Sequence, residues 1–153
     1  MKKKFLVIVD ETIELEKAIY FASKRAIATD GQLSLLHIVD PAINAQWARI
    51  GNLIEQEATS EAKKLCRKWT QKIKLQFNIE SEVIIKIGDR VVELLKLIEE
   101  DKDIRFLVLA TGENSEDPGP LIKDLTGKKI KNLKIPLILI PGSLSEEDID
   151  LIT

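Results

Sequence analysis

The sequence holds a single cysteine, Cys66, and a single histidine, His37. One thiol excludes an internal disulfide and a cysteine-based metal cluster. Neither G-x-G-x-x-G nor the Walker G-x-x-x-x-G-K-[ST] pattern occurs, so the two familiar glycine-rich phosphate loops are absent. No apolar run approaches the roughly 18 residues that cross a bilayer, so no membrane partner is expected. The opening MKKKFLVIVD pairs a basic end with an apolar run, but FLVIV meets Asp10 at once and is too short for the core of a signal peptide. A dominant charge is missing too: the formal net charge is −2 at pH 7, which gives no electrostatic case for nucleic acid. These absences lead to the expectation of a cytoplasmic protein that binds neither nucleic acid nor membrane.

What is present is a regular alternation. The chain of 153 residues is most simply one domain, long enough to bury its own core. Short apolar runs recur at KFLVIV (4–9), LSLLHIV (33–39), SEVIIKI (81–87), RFLVLA (105–110) and PLILI (136–140). Most are continuous in Val, Ile and Leu, as parallel strands covered on both faces are. SEVIIKI carries Glu82 and Lys86 and suits an edge.

Between the runs lie helical stripes. Leu15, Ala18, Ile19, Ala22 and Ala26 form the first, with Thr12 as candidate N-cap and Gly31 closing it. Ile50, Leu53, Ile54, Ala58, Ala62, Leu65, Cys66, Trp69 and Ile73 form a longer one. Asp89 precedes a third with Val91, Leu94, Leu95 and Ile98, and Leu121, Ile122, Leu125 and Ile130 suggest a fourth. The order β-α-β-α-β-α-β-α-β implies an α/β, doubly wound, mostly parallel sheet with helices on both faces. Residues 1–143 form that domain. Residues 144–153 are expected to be an acidic C-terminal tail, with a short helix capped by Ser145 or a partner-pairing strand as alternatives.

In such sheets ligands sit outside the carboxyl ends of the strands. Those ends are Asp10, Val39-Asp40, Gly88-Asp89, Thr111-Gly112 and Pro141-Gly142. Asp10 is read either as a ligand contact to a ribose or purine or as a helix cap. Gly112 permits close approach of a ligand, or is a plain turn glycine. The loop that follows, ATGENSEDPGP (110–120), also carries Glu113, Glu116 and Asp117. A carboxylate about 6 Å from a phosphate charge costs roughly 0.7 kcal/mol in bulk water and roughly 3 kcal/mol at an effective dielectric near 20. Lys123, Lys128 and Lys129, or a bridging Mg²⁺, would offset part of that. His37 and Cys66 read as structural, Trp47 and Trp69 as packing, and Glu55, Glu57 and Glu61 as a solvated face. Arg90 in GDR (88–90) reads as an anion contact or as part of a turn and cap. No catalytic residue and no metal ligand is assigned.

Taken together, FLVIVDET, LSLLHIVDP and KIPLILIPG resemble the universal stress protein family over about residues 3 to 142. The matching elements are Val9-Asp10, then Leu35-Leu36-His37-Ile38, then Val108-Leu109-Ala110-Thr111-Gly112, then Ile135-Pro136-Leu137-Ile138-Leu139-Ile140. The resemblance implies a flavodoxin-like (Rossmann-like) five-stranded sheet, order 3-2-1-4-5, and a homodimer paired through the final strand, 136–140. It implies adenine-nucleotide contacts at Ile8, Val9, Asp10, Ile38, Val39, Thr111 and Gly112, with Ser115, Lys123 and Lys128 near the phosphates. Many members bind ATP with a loop of Gly, two residues, Gly, nine residues, Gly, then Ser or Thr. Counting from Gly112, the second glycine falls on Ser115 and the third on Leu125; counting back from Pro136, the third falls near Lys123-Asp124. A cradle of inward N–H groups needs glycines, so the triphosphate half is degraded while the adenosine half is kept.

The reading is a stress-response module, regulatory or protective, with weak or no ATP binding, an unidentified protein partner, and ATP, AMP or another adenine nucleotide with Mg²⁺ as the cofactors to test. The alternatives are a stress protein that holds ATP and Mg²⁺ with an altered loop, and a small hydrolase of another doubly wound family.

Overall fold

A computed structural model describes residues 2–41, 52–112 and 118–153, with the side chains of 52–54 left aside. Strands are β1 (Lys4–Ile8), β2 (Gln32–Val39), β3 (Ser81–Ile87), β4 (Ile104–Thr111) and β5 (Leu137–Pro141). The described helices are α1 (Leu15–Ala28), α2 (Asn52–Phe77), α3 (Arg90–Glu100), α4 (Pro120–Thr126) and α5 (Glu146–Ile152), with a 3-10 turn at Ile130–Asn132. All strand pairs are parallel, and the sheet order is β3-β2-β1-β4-β5. This is the doubly wound, flavodoxin-like arrangement expected, with β3 at one edge.

Burial on both faces explains the continuous apolar runs. Phe5, Val7 and Val9 enter one core with α1, with Cys66 and Ile73 of α2, and with Ile149 of α5. Leu6 and Ile8 enter the other with Leu94, Leu97 and Ile98 of α3 and with Ile122 and Leu125 of α4. Alternate residues of β1 therefore serve opposite cores, and after Lys4 at its amino end no polar position is left in it.

Several local expectations need correction. Thr12 is not the N-cap of α1. Its N–H donates to Asp10 Oδ1 at 2.9 Å, and its hydroxyl donates to the same oxygen at 2.5 Å. That Asx turn delays the helix to Leu15, which follows Glu14 without a side-chain cap. After α1 the left-handed residue is Asp30, with φ 52°, rather than Gly31. Gly31 is required for another reason: a Cβ there would lie 2.7 Å from the Lys3 carbonyl oxygen. Asp89 does cap α3, accepting the Val92 N–H at 3.0 Å. Leu97, outside the stripe read from the sequence, is buried on α3. Ile130 leaves the fourth helix altogether, since α4 ends at Thr126 and Ile130 is 51% exposed. Ile50 and Trp47 lie outside the described residues.

Residues 145–153 fold onto the domain as the capped helix. Ser145 and Asp148 exchange the two bonds of a capping box, at 3.1 and 3.0 Å. Ile149 is fully buried. Tyr20 of α1 donates its hydroxyl to Asp150 at 2.7 Å, and Lys24 pairs with the same carboxylate at 3.0 Å. The Asp150 bond and burial push the Tyr20 phenol up to about 12. A sequence of four acids among eleven residues, SLSEEDIDLIT, conceals this because its anchor is one apolar side chain and the mates of Asp150 lie on α1.

At the amino ends of the strands, Lys4 bonds Asp101 at 2.6 Å and Glu82 at 3.2 Å, and Ser34 donates to Glu82 at 3.0 Å. Burial opposes the Lys4 charge, but its two carboxylate partners outweigh burial and raise its pKa. The polar residue in the edge strand is thus one end of a tie across β1, β2 and β3.

Candidate functional site

The carboxyl ends of β1, β2 and β4 converge, because β1 lies between β2 and β4 in register. A cavity of about 180 Å³ opens there. Ile8, Val9 and Asp10 supply its β1 wall, His37 and Ile38 its β2 wall, and Val108 to Ala110 its β4 wall. The helices close the sides. Glu14, Leu15 and Ala18 come from the approach to α1, Arg90 from the start of α3, and Gly119 to Ile122 from the start of α4. The lining is mainly apolar, with a few polar side chains, Asp10, Thr12, Glu14, His37 and Arg90, among it, the usual build of a small-molecule site.

Two of the polar lining residues, Asp10 and His37, have structural partners. Asp10 uses Oδ1 to hold Thr12, so its structural role is real. A carboxylate has about four lone-pair positions, and among the described residues no bond reaches Oδ2. Fixed by one oxygen, Asp10 offers the other to a hydroxyl or amine. His37 Nδ1 lies 2.7 Å from the Val9 carbonyl oxygen. A carbonyl only accepts, so Nδ1 carries the hydrogen, and the ring ties β2 to the tip of β1. Cys66 is buried under α2, away from this cavity, and burial pushes its thiol pKa up. No group of three or more His, Cys, Asp or Glu among the described residues is placed to hold a metal ion.

Gly119 introduces α4 with φ 96° and ψ 159°, and Pro120 takes the first turn. A Cβ at Gly119 would meet nothing within 4 Å, so conformation, not crowding, calls for glycine there.

Of the residues expected at a nucleotide site, Ile8, Val9, Asp10 and Ile38 line the cavity. Val39, Thr111, Gly112, Lys123 and Lys128 do not. Val39 is buried, and its carbonyl accepts the Gly88 N–H at 2.9 Å, while Thr111 pairs with Pro141 in the sheet. Ser115 and the acids Glu113, Glu116 and Asp117 lie outside the described residues. The α1 and α4 walls were not read from the sequence. Their only signals are the apolar Leu15, Ala18, Leu121 and Ile122, which look like ordinary core positions.

A family model, the universal stress protein family, matches residues 1–141. No curated protein matches the sequence. Among solved structures, the universal stress protein UspA of Lactobacillus plantarum superposes with a TM-score of 0.70 at 20% identity, covering 90% of this chain and 97% of that one. A universal stress protein of Archaeoglobus fulgidus in complex with dAMP gives 0.67 at 18% identity, covering 90% and 97%. A universal stress protein in complex with cAMP gives 0.62 at 16% identity, covering 93% and 98%. Sheet order, strand-tip cavity and a family match over nearly the whole domain agree, and the chain belongs to the universal stress protein family.

Proposed function

We propose that this protein is a stress-response module that binds adenosine-type ligands at the strand tips and does not bind ATP tightly. The observation that carries the reading is the cavity itself. It brings apolar Ile8 and Ile38 together with the Asp10 carboxylate, which supports a flat base against the first two and a ribose hydroxyl at the third. Its volume of about 180 Å³ is below the roughly 300–1,000 Å³ of sites that enclose a whole drug-sized ligand, which suits a nucleoside moiety better than a triphosphate. The dAMP and cAMP complexes of two structural neighbours support the same ligand class. Asp10 and Glu14 at the rim oppose a highly charged phosphate chain.

The role that fits is regulatory or protective rather than catalytic, in the cytoplasm, with a homodimer formed along β5 and an unidentified protein partner. Cys66 is core and His37 is engaged by a backbone carbonyl, which weighs against a hydrolase built on either.

Calorimetric titration with adenosine, AMP and ATP, the last with and without Mg²⁺, tests the ligand. The expected result is binding of AMP in the range of tens to hundreds of micromolar, about −5 to −6 kcal/mol, with ATP no tighter. ATP with Mg²⁺ binding tenfold tighter than AMP would establish the altered-loop alternative instead.

A further inference from the structure

Resting on that reading of the cavity, we propose that Arg90 is its phosphate-contacting residue and selects ligands with a single phosphate group. Arg90 is the first residue of α3 and lines the cavity. The capping of α3 does not fall to it: Asp89 accepts the Val92 N–H at 3.0 Å. That disposes of the cap as the explanation for the side chain. Arg90 is half-buried, and none of the ion pairs among the described residues includes it. Two carboxylates, Asp10 and Glu14, share the same cavity and neither lies within ion-pair distance of it.

A half-buried guanidinium presents a planar fork of donors that matches a phosphate. It is the only Lys or Arg that lines the cavity among the described residues; Lys123 and Lys128 do not reach it. The positive charge therefore enters from the α3 side of the mouth, apart from the loop that follows β4. One fork holds one phosphate well. The further phosphates of a triphosphate gain no second cation from the described lining and meet two carboxylates at the rim. This arrangement favours a nucleoside monophosphate over both the nucleoside and the triphosphate.

Calorimetric titration of wild type, Arg90→Ala and Arg90→Lys with AMP and with adenosine tests the assignment, with thermal melts confirming that each variant is folded. A charge-assisted contact of this kind is worth about tenfold to a hundredfold in affinity. Arg90→Ala is expected to lose about that factor for AMP and less than about threefold for adenosine. Arg90→Lys should recover part of the loss, since an ammonium keeps the charge but not the fork. Equal losses for AMP and adenosine, or no loss for AMP, would overturn the assignment while leaving the nucleotide site in place. Wild-type protein that binds neither ligand would overturn the adenine-nucleotide reading itself.

Discussion

Leu107→Ala is expected to destabilise the protein by about 3–4 kcal/mol, the range for removing a fully enclosed leucine that its surroundings cannot collapse to fill. Leu107 has no exposed surface. It sits on β4, paired with Leu6 on one side and Leu137 on the other. It belongs to the core beneath α3 and α4, with Leu6, Leu94, Ile104 and Leu125, each at most 1% exposed. Strands held on both sides and covered above cannot move inward to close a gap without breaking ladder bonds. For a domain of this size the loss corresponds to a fall in Tm of very roughly 6–16 °C. The control is Leu151→Ala on α5, where the side chain is 87% exposed and less than about 0.5 kcal/mol is expected. Urea melts of both variants decide the matter. A cost below about 1 kcal/mol at Leu107 would mean that β4 is not interior to the sheet.

The second large effect concerns assembly. β5 pairs only with β4 among the described residues, so its outer edge has backbone donors and acceptors available to another strand. Its residues are almost wholly apolar, and Leu139 is 39% exposed. Leu107 N–H donates to the Pro136 carbonyl at 3.1 Å. In a parallel ladder such bonds alternate along each strand, so residues 136, 138 and 140 face β4 and residues 137 and 139 face outward. Leu139→Pro therefore removes an outward N–H and leaves the β4 ladder intact. The homodimer we propose along this edge should be visible in light scattering as about twice the chain mass of 17.3 kDa. The variant should fall to the monomer mass at the same concentration. Wild-type protein that is monomeric at roughly 100 µM, where an interface of even modest affinity would be populated, would remove the dimer from the account.

The fold was legible because its cause is local in sequence. A strand buried on both faces has to be apolar along its covered stretch, and residues 5–8 of β1 and 106–110 of β4 are. Asp89 was legible as a cap because capping depends on residues three positions away. The Thr12 cap failed because Asp10, two residues earlier, takes the Thr12 N–H and hydroxyl for its own carboxylate. The fourth helix was read too long because Ile130 falls at helical spacing from Leu125 and Ile122, although Gly127 intervenes and its N–H closes onto the Lys123 carbonyl at 2.9 Å. The C-terminal helix was one of three readings, and what distinguishes them is on α1: the Tyr20 hydroxyl, the Lys24 ammonium and a slot for Ile149.

The candidate site divides in the same way. Asp10 and Ile38 end strands, so their presence at the carboxyl edge follows from topology alone. The wall built by Leu15, Ala18, Leu121 and Ile122 depends on how closely two helices approach from opposite faces of the sheet, and no spacing in the sequence expresses that. Arg90 was visible as a charge after a strand, but its place in the cavity emerges only when α3 is packed against β2 and α4.

The central claim is that the tips of β1, β2 and β4 form one mouth that accepts the adenosine portion of a ligand. It is tested most directly by titrating AMP into isotopically labelled protein and following each backbone amide by NMR. The account predicts saturable shifts concentrated at Ile8, Val9, Asp10, Ile38, Leu109 and Arg90, with the amino ends of the same strands unmoved. Saturable shifts gathered at Lys3, Gln32 and Arg105, or none at any concentration up to several millimolar, would contradict it.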